Sequence, residues 1–297
     1  MTDLKTPVIH SFFDEATNTA TYLVIDQATR EAAIIDTVLD YDPRSGKLST
    51  ASADALLETV TKEKATVKWI LETHAHADHL TAAQYLKSKT GAHIGIGAHI
   101  DDVQKIFEPI FDLKIAKPDR TEFDHRFKDG ETFNVGNLTF EVLATPGHTP
   151  ACISYKVGAN VFVGDTLFMP DYGTARADFP GGDASTLYRS IKRLLALPAE
   201  TKIWLCHDYK APERGDYKWE TTVAEERQHN IHIHDGISEA EFVKMRNARD
   251  ATLAAPVLLL PSIQVNIHAG HLPDPSSNGK RYIKIPLSMN EGLDDIL

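Results

Sequence analysis

The chain reads as an α/β protein in which two sheets lie between outer layers of helices. Three observations lead there. Strand-type and helix-type segments follow one another as strands, helix, strand, helix, then strands and helices again, a pattern that layers helices on sheets. No repeat of about 20–50 residues interrupts it. Histidine and aspartate recur where separate apolar runs end, as a site at the carboxyl edge of an α/β sheet requires. At 297 residues the chain can bury a sizeable core. With no linker-like stretch to divide it, a single domain over 1–297 is expected, with the Pro-rich tail 251–297 packed on the body.

In chain order, "TYLVID" and "AAIID" are apolar strands separated by the turn-like "QATRE", and "DYDPRSGK" is a loop by its Pro, Gly and Ser content. Ser52 is placed to cap a helix in which Ala53, Leu56, Leu57 and Val60 share one face. "VKWILET" (67–73) is a buried strand, and a second helix runs from about Leu80 to Lys89, stopped by Gly91. "HIGIG" is a short strand and 99–107 a helix, while the charged stretch 112–130, with Pro118, reads as a surface excursion. "TFNV", "LTFEVLA" and "NVFVGD" are strands, the first two joined by a turn at Gly136. Helix 185–197 carries Leu187, Ile191, Leu194 and Leu195 on one face, and "KIWLC" is a further strand ending before His207.

A formal net charge of −11 argues against nucleic-acid or acidic-membrane partners, because neither polyanion gains from an acidic surface. An anionic substrate must therefore find a local basic pocket. The N-terminus lacks the basic, apolar and small-residue regions of a signal peptide, and no window approaches the roughly 18 apolar residues that span a bilayer. Two cysteines, Cys152 and Cys206, stand far apart, so free thiols in a reducing cytoplasm are expected.

The chemistry begins at "ILETHAHADHL", where His74, His76, Asp78 and His79 crowd the end of a strand. Independent placement would produce H-x-H-x-D-H in on the order of a few chains per thousand. Buried without partners, such groups would be costly, so hydrogen bonds or a metal must satisfy them. His148 follows another strand in "EVLATPGHTP", Asp165 ends "NVFVGD", and His207 ends "KIWLCHD".

These four segments resemble the metallo-β-lactamase superfamily over roughly residues 8–260, and the order of elements fits its αββα sandwich of two mixed sheets between helices. The resemblance implies a ligand set of His74, His76 and His148 at one metal position, Asp78, His79 and His207 at a second, and Asp165 between them. "THAHADH", "PGHT" and "GD" are similar to both glyoxalase II thioesterases and persulfide dioxygenases. The segment "YGTARADF", with "CHDYKAPER" and "WETTVAEERQHN", resembles the dioxygenases, particularly their bacterial branch, and the basic, aromatic C-terminal sequence of glyoxalase II is not evident.

Membership of that branch implies one Fe(II) per chain, held by His74, His148 and Asp165 as metal ligands and catalytic residues. Two histidines and a carboxylate on one face leave positions open, as non-haem iron oxygenases require. It implies oxidation of glutathione persulfide by O2 to sulfite and glutathione, in a homodimer. His76, Asp78, His79 and His207 would then orient ligands and solvent. In the alternative, a glyoxalase II-like hydrolase, they hold the second of two zincs and a thioester is cleaved. Sequence spacing does not separate these. Glutathione carries two carboxylates, so Arg176 and Lys210, beside the ligand segments, are candidate cationic contacts, and Tyr172 and Tyr209 candidate hydrogen-bond donors.

Other signals are set aside. "HNIHIHD" (229–235) has no matching cluster and reads as a surface strand or loop; "GIGAHI" lacks the third glycine of a dinucleotide loop. Cys152 and Cys206 read as small core residues, and "NEGLDDIL" as a solvated terminus.

Overall fold

The computed structural model describes residues 6–113 and 122–287. Its strands are β1 (Val8–Asp14), β2 (Thr19–Ile25), β3 (Glu31–Ile35), β4 (Asp40–Asp42), β5 (Lys47–Ser49), β6 (Thr66–Leu71), β7 (His93–Gly97), β8 (His125–Phe127), β9 (Thr132–Val135), β10 (Leu138–Ala144), β11 (Ile153–Val157), β12 (Asn160–Phe162), β13 (Lys202–Trp204) and β14 (Glu220–Thr222). The helices are α1 (Ala51–Lys62), α2 (Ala83–Thr90), α3 (Ile100–Ile110), α4 (Ala184–Leu194), α5 (Val223–His229), α6 (Glu239–Asp250) and α7 (Leu259–Asn266).

Two six-stranded mixed sheets form, in the orders β1-β2-β3-β6-β7-β8 and β14-β13-β12-β11-β10-β9. In the first, β1, β2 and β3 are antiparallel neighbours and β3, β6, β7 and β8 run parallel. In the second, only β12 and β13 pair in parallel.

The two-residue period of a strand explains the layering. Ala20, Tyr22 and Val24 of β2, with Ala33 and Ile35 of β3, face the other sheet and meet Phe140, Val142, Tyr155 and Phe162. The intervening Leu23, Ile25, Ala32 and Ile34 face outward against Leu56 of α1, Leu86 of α2 and Val103 of α3. On the far side, Val161 and Ile203 pack against Leu187, Ile191 and Leu194 of α4 and Phe242 of α6. Strands apolar on both faces thus need a partner on each, and the result is the αββα sandwich.

Several expectations are corrected. Ser52 lies inside the first turn of α1 rather than capping it, because its amide and hydroxyl bond the Asp40 carboxylate at 3.1 and 2.7 Å. The second helix begins at Ala83, since Leu80 is held in a bridge with Leu39. Its stop at Gly91 agrees: that residue is left-handed, at φ 72°. "DYDPRSGK" contains the short β4–β5 hairpin, and the 112–130 stretch contributes β8, whose Phe127 is buried between the sheets. β1 was not foreseen. Pro118 and "NEGLDDIL" lie outside the described residues. In 229–235, His229 ends α5 and a loop follows, but Asn230 and Ile233 within it are fully buried. Both cysteines are free and buried.

Candidate metal centre

The first sheet brings Asp36 and the His74–His79 loop to one edge, at the ends of β3 and β6. The second brings His148, Asp165 and His207 there, beyond β10, β12 and β13. Two glycines make the approach possible. A Cβ on Gly164, at φ 52°, would lie 2.4 Å from the Thr73 hydroxyl, which explains the "GD" before the strand-end acid. A Cβ on Gly147, at φ 137°, would lie 2.3 Å from the Leu187 Cα, so only glycine lets the "PGH" turn pack on α4.

Each histidine is oriented by its outer ring nitrogen. Nδ1 of His74 meets the Thr73 hydroxyl at 3.0 Å, and Nδ1 of His148 the Arg176 carbonyl at 2.8 Å. Nδ1 of His79 lies 3.2 Å from Asp78 Oδ1 and 3.3 Å from the Thr19 hydroxyl, and that of His207 lies 3.1 Å from the Asn18 carbonyl. His76 is turned round. Its Nε2 lies between two buried acids, 3.0 Å from Asp36 and 3.3 Å from Glu72, leaving Nδ1 inward. Such partners fix the ring and its tautomer so that the other nitrogen is free to bind a metal.

Among the inward atoms, His74 Nε2, His76 Nδ1 and His79 Nε2 are buried without hydrogen bonds, while Asp78 Oδ2, Asp165 Oδ1 and His207 Nε2, also buried, face only one another. Buried polar atoms are rarely orphaned, and here they converge. One group comprises His74, His148 and Asp165, with Asp165 Oδ2 4.0 Å from His74 Nε2 and 3.7 Å from His148 Nε2. A second comprises His76, Asp78, His79 and His207; His207 Nε2 reaches Asp78 at 3.0 Å and Asp165 at 3.4 Å, so Asp165, which also groups with Cys206 and His207, joins the two. Ligands about 2.1 Å from one ion, at right angles or wider, stand about 3–4.2 Å apart, so the donor set fits metal binding.

Electrostatics agree. Burial, then the neighbouring His76 and His148, hold His74 well below its ordinary value, neutral and able to ligate. Burial also lowers His79. Burial would raise the Asp78 carboxyl, but the His207 imidazole overrides it and holds Asp78 well below the carboxylate range. Burial would lower His207, but Asp78 and Asp165 raise it to about 9. His207 thus serves as the counter-charge to Asp78 and Asp165.

The centre opens into a cavity of about 740 Å³, lined at its floor by Asp78, His148 and Asp165. Tyr172 and Tyr209 line its wall, their rings 5.0 Å apart, and Tyr209 lies nearly parallel to His207. Burial raises both phenols, so they remain hydrogen-bond donors. Arg176 also lines the cavity, but its guanidinium is paired with Asp178, 2.6 Å from Nε, and donates to the Ala254 carbonyl at 2.7 Å. Lys210 is exposed, is not among the lining residues, and lies over the Tyr217 ring at 5.2 Å.

Sequence reading missed the supports. Asp36 ends a strand as Asp165 does, a signal that was available. Asn266 on α7 donates to the carbonyls of His76 and His79 at 2.8 and 2.7 Å and so ties the tail to the His loop. On α6, the buried Arg246–Asp250 pair grips the strip that carries Arg176: Arg246 donates to the Thr174 carbonyl at 3.1 Å, and Asp250 accepts from the Ala177 amide at 2.9 Å. No local motif marks these residues.

Fold and site together define a metal-binding α/β sandwich with a histidine–aspartate centre between its sheets. The chain belongs to the metallo-beta-lactamase superfamily, whose family model matches residues 15–207. It is 52% identical to a probable metallo-hydrolase of Burkholderia pseudomallei over 94% of this chain and 98% of that one. It is 51% identical to glyoxylase B2 of Dictyostelium discoideum, over 91% and 93%. It is 29% identical to the human mitochondrial persulfide dioxygenase ETHE1, over 89% of each. Among solved structures, that of ETHE1 from Myxococcus xanthus matches with a TM-score of 0.71 at 33% identity, over 89% of this chain and 100% of that one. Among the described residues, no helix is long and apolar enough to cross a membrane.

Proposed function

We propose that this protein is an iron-dependent persulfide dioxygenase that oxidises glutathione persulfide with O2 to sulfite and glutathione. The observation that carries the reading is the triad of His74, His148 and Asp165, two histidines and one carboxylate whose ligand atoms lie together. His148 and Asp165 also line the large cavity. The likeness to persulfide dioxygenases named ETHE1 supports the same reading.

Fe(II), which His74, His148 and Asp165 would hold, would supply the redox chemistry that lets O2 oxidise a persulfide. The chain's own residues do the rest. Thr73 and the Arg176 carbonyl keep the His74 and His148 rings aimed inward. Asp36 and Glu72 hold His76 by its outer nitrogen, leaving it, with Asp78, His79 and His207, to order the polar side of the centre. Tyr172 and Tyr209 offer hydroxyls to a bound peptide. Cytoplasmic location and a homodimer belong to the same proposal.

The test is an oxygen-electrode assay on glutathione persulfide with sulfite detection. Oxygen uptake matched by sulfite supports the reading, and none with iron-loaded protein rejects it.

A dizinc thioesterase is the second reading. It is favoured by the second group, His76, Asp78, His79 and His207, whose ligand atoms also lie together, and by the likeness to glyoxylase B2. Cleavage of S-lactoylglutathione without oxygen would favour it.

A further inference from the structure

Three arginines, Arg176, Arg246 and Arg249, line the cavity over the metal centre. In an acidic chain, with Asp78 and Asp165 on the cavity floor, an anionic substrate depends on whichever of them keeps its charge available. Arg176 is neutralised by Asp178, stacks over Phe179 at 5.0 Å and donates to the Ala254 carbonyl. Arg246 is buried, at 1% exposure, and its guanidinium is taken by Asp250 and the Thr174 carbonyl.

Arg249 differs. One turn beyond Arg246 on α6, it is exposed, and among the described residues its guanidinium has neither an ion pair nor a hydrogen bond. It shares the cavity lining with Tyr172 and Tyr209. Leu253, Pro256 and Val257 line the same cavity and give it an apolar surface.

We propose that Arg249 is the carboxylate anchor of the cavity, selecting thiol-peptide substrates by pairing with a carboxylate of the glutathione moiety while sulfur reaches the metal centre. This rests on the reading that a glutathione-linked sulfur compound is the substrate. A guanidinium presents two parallel donors, matching the two oxygens of a carboxylate. A cavity of about 740 Å³ falls within the size of pockets that take ligands of this class. Tyr172 and Tyr209 line the same cavity as Arg249, His148 and Asp165, so their phenols are available to the peptide backbone of such a ligand.

The experiment compares wild type with Arg249→Ala and Arg249→Lys, using glutathione persulfide and the persulfide of glutathione diethyl ester, whose carboxylates are masked. Calorimetric binding of glutathione and of its diethyl ester is measured in parallel, independently of turnover. Wild type is expected to favour the free acid by about 10- to 100-fold in kcat/KM, the size of a charge-assisted contact. Arg249→Ala loses that preference through KM rather than kcat, and Arg249→Lys restores part of it. Because Arg249 is exposed, unchanged thermal unfolding verifies the fold of both variants. Arg249→Ala retaining the wild-type preference, or a wild type that treats acid and ester alike, overturns the proposal. If oxygen uptake fails but calorimetry still shows carboxylate preference lost with Arg249, the anchor stands and only the dioxygenase reading falls.

Discussion

Asp250→Ala tests how the far side of the fold supports the metal centre. Asp250 and Arg246 are 3% and 1% exposed, and the aspartate accepts from Arg246 Nη2 at 2.6 Å and Nε at 2.9 Å. Its other oxygen accepts from the Ala177 amide at 2.9 Å. Truncation leaves a buried guanidinium without its counter-charge and a buried amide without an acceptor. Breaking one side of such a pair costs about 3–5 kcal/mol. For a chain of this size that lowers Tm by roughly 5–8 °C, read by circular dichroism.

The strip 174–177 also carries the Arg176 carbonyl that orients His148. Losing an orienting partner of this kind costs about 10–100-fold in metal affinity, read by titrating the apoprotein with Co(II) and following its absorption. The double variant Arg246→Met/Asp250→Leu recovers most of the stability, because no buried charge is left unpaired, but not the metal affinity. A Tm within 2 °C of wild type and unchanged Co(II) affinity for Asp250→Ala would refute the reasoning.

Other consequences concern metal, packing and pH. Asp78→Asn should leave iron content near one per chain by elemental analysis, since Asp78 lies outside the His74, His148 and Asp165 group. Gly147→Ala should lose metal and stability together, as its Cβ collides with the α4 backbone; a variant with wild-type Tm and metal content contradicts this. Burial, with Asp171 and Glu225 nearby, raises the Glu226 carboxyl from 4.5 to about 8. The folded chain therefore holds a proton that the unfolded chain releases, so this group's contribution is complete below about 4.5 and lost as pH rises through about 8. Glu226→Gln should raise Tm at pH 8 and change it little at pH 4; equal effects at both would refute that origin.

Much of the fold was readable because β2, β3 and β6 are apolar runs and α1 and α4 carry regular apolar stripes. The weak signals lay in short elements. β4, β5 and β8 are three residues each, too short to show a period, and their pairing depends on neighbours that sequence does not name. The seven histidines and aspartates that converge at the sheet edge were legible because each follows a strand. The residues that aim them were less so. Asp36 could have been found by the same strand-end logic, but Glu72, Asn266, Arg246 and Asp250 act through contacts formed only when distant segments fold together. Arg176 shows the converse: a cation adjacent in sequence to the ligands is neutralised two residues away, whereas Arg249, 73 residues further on, remains open to the cavity.

The central claim is a centre that works with one iron, and elemental analysis of protein purified without added metal tests it most directly when paired with oxygen uptake on the same sample. The account predicts one iron per chain and one O2 consumed for each glutathione persulfide. Two zincs per chain, with thioester cleavage and no oxygen uptake, would contradict it.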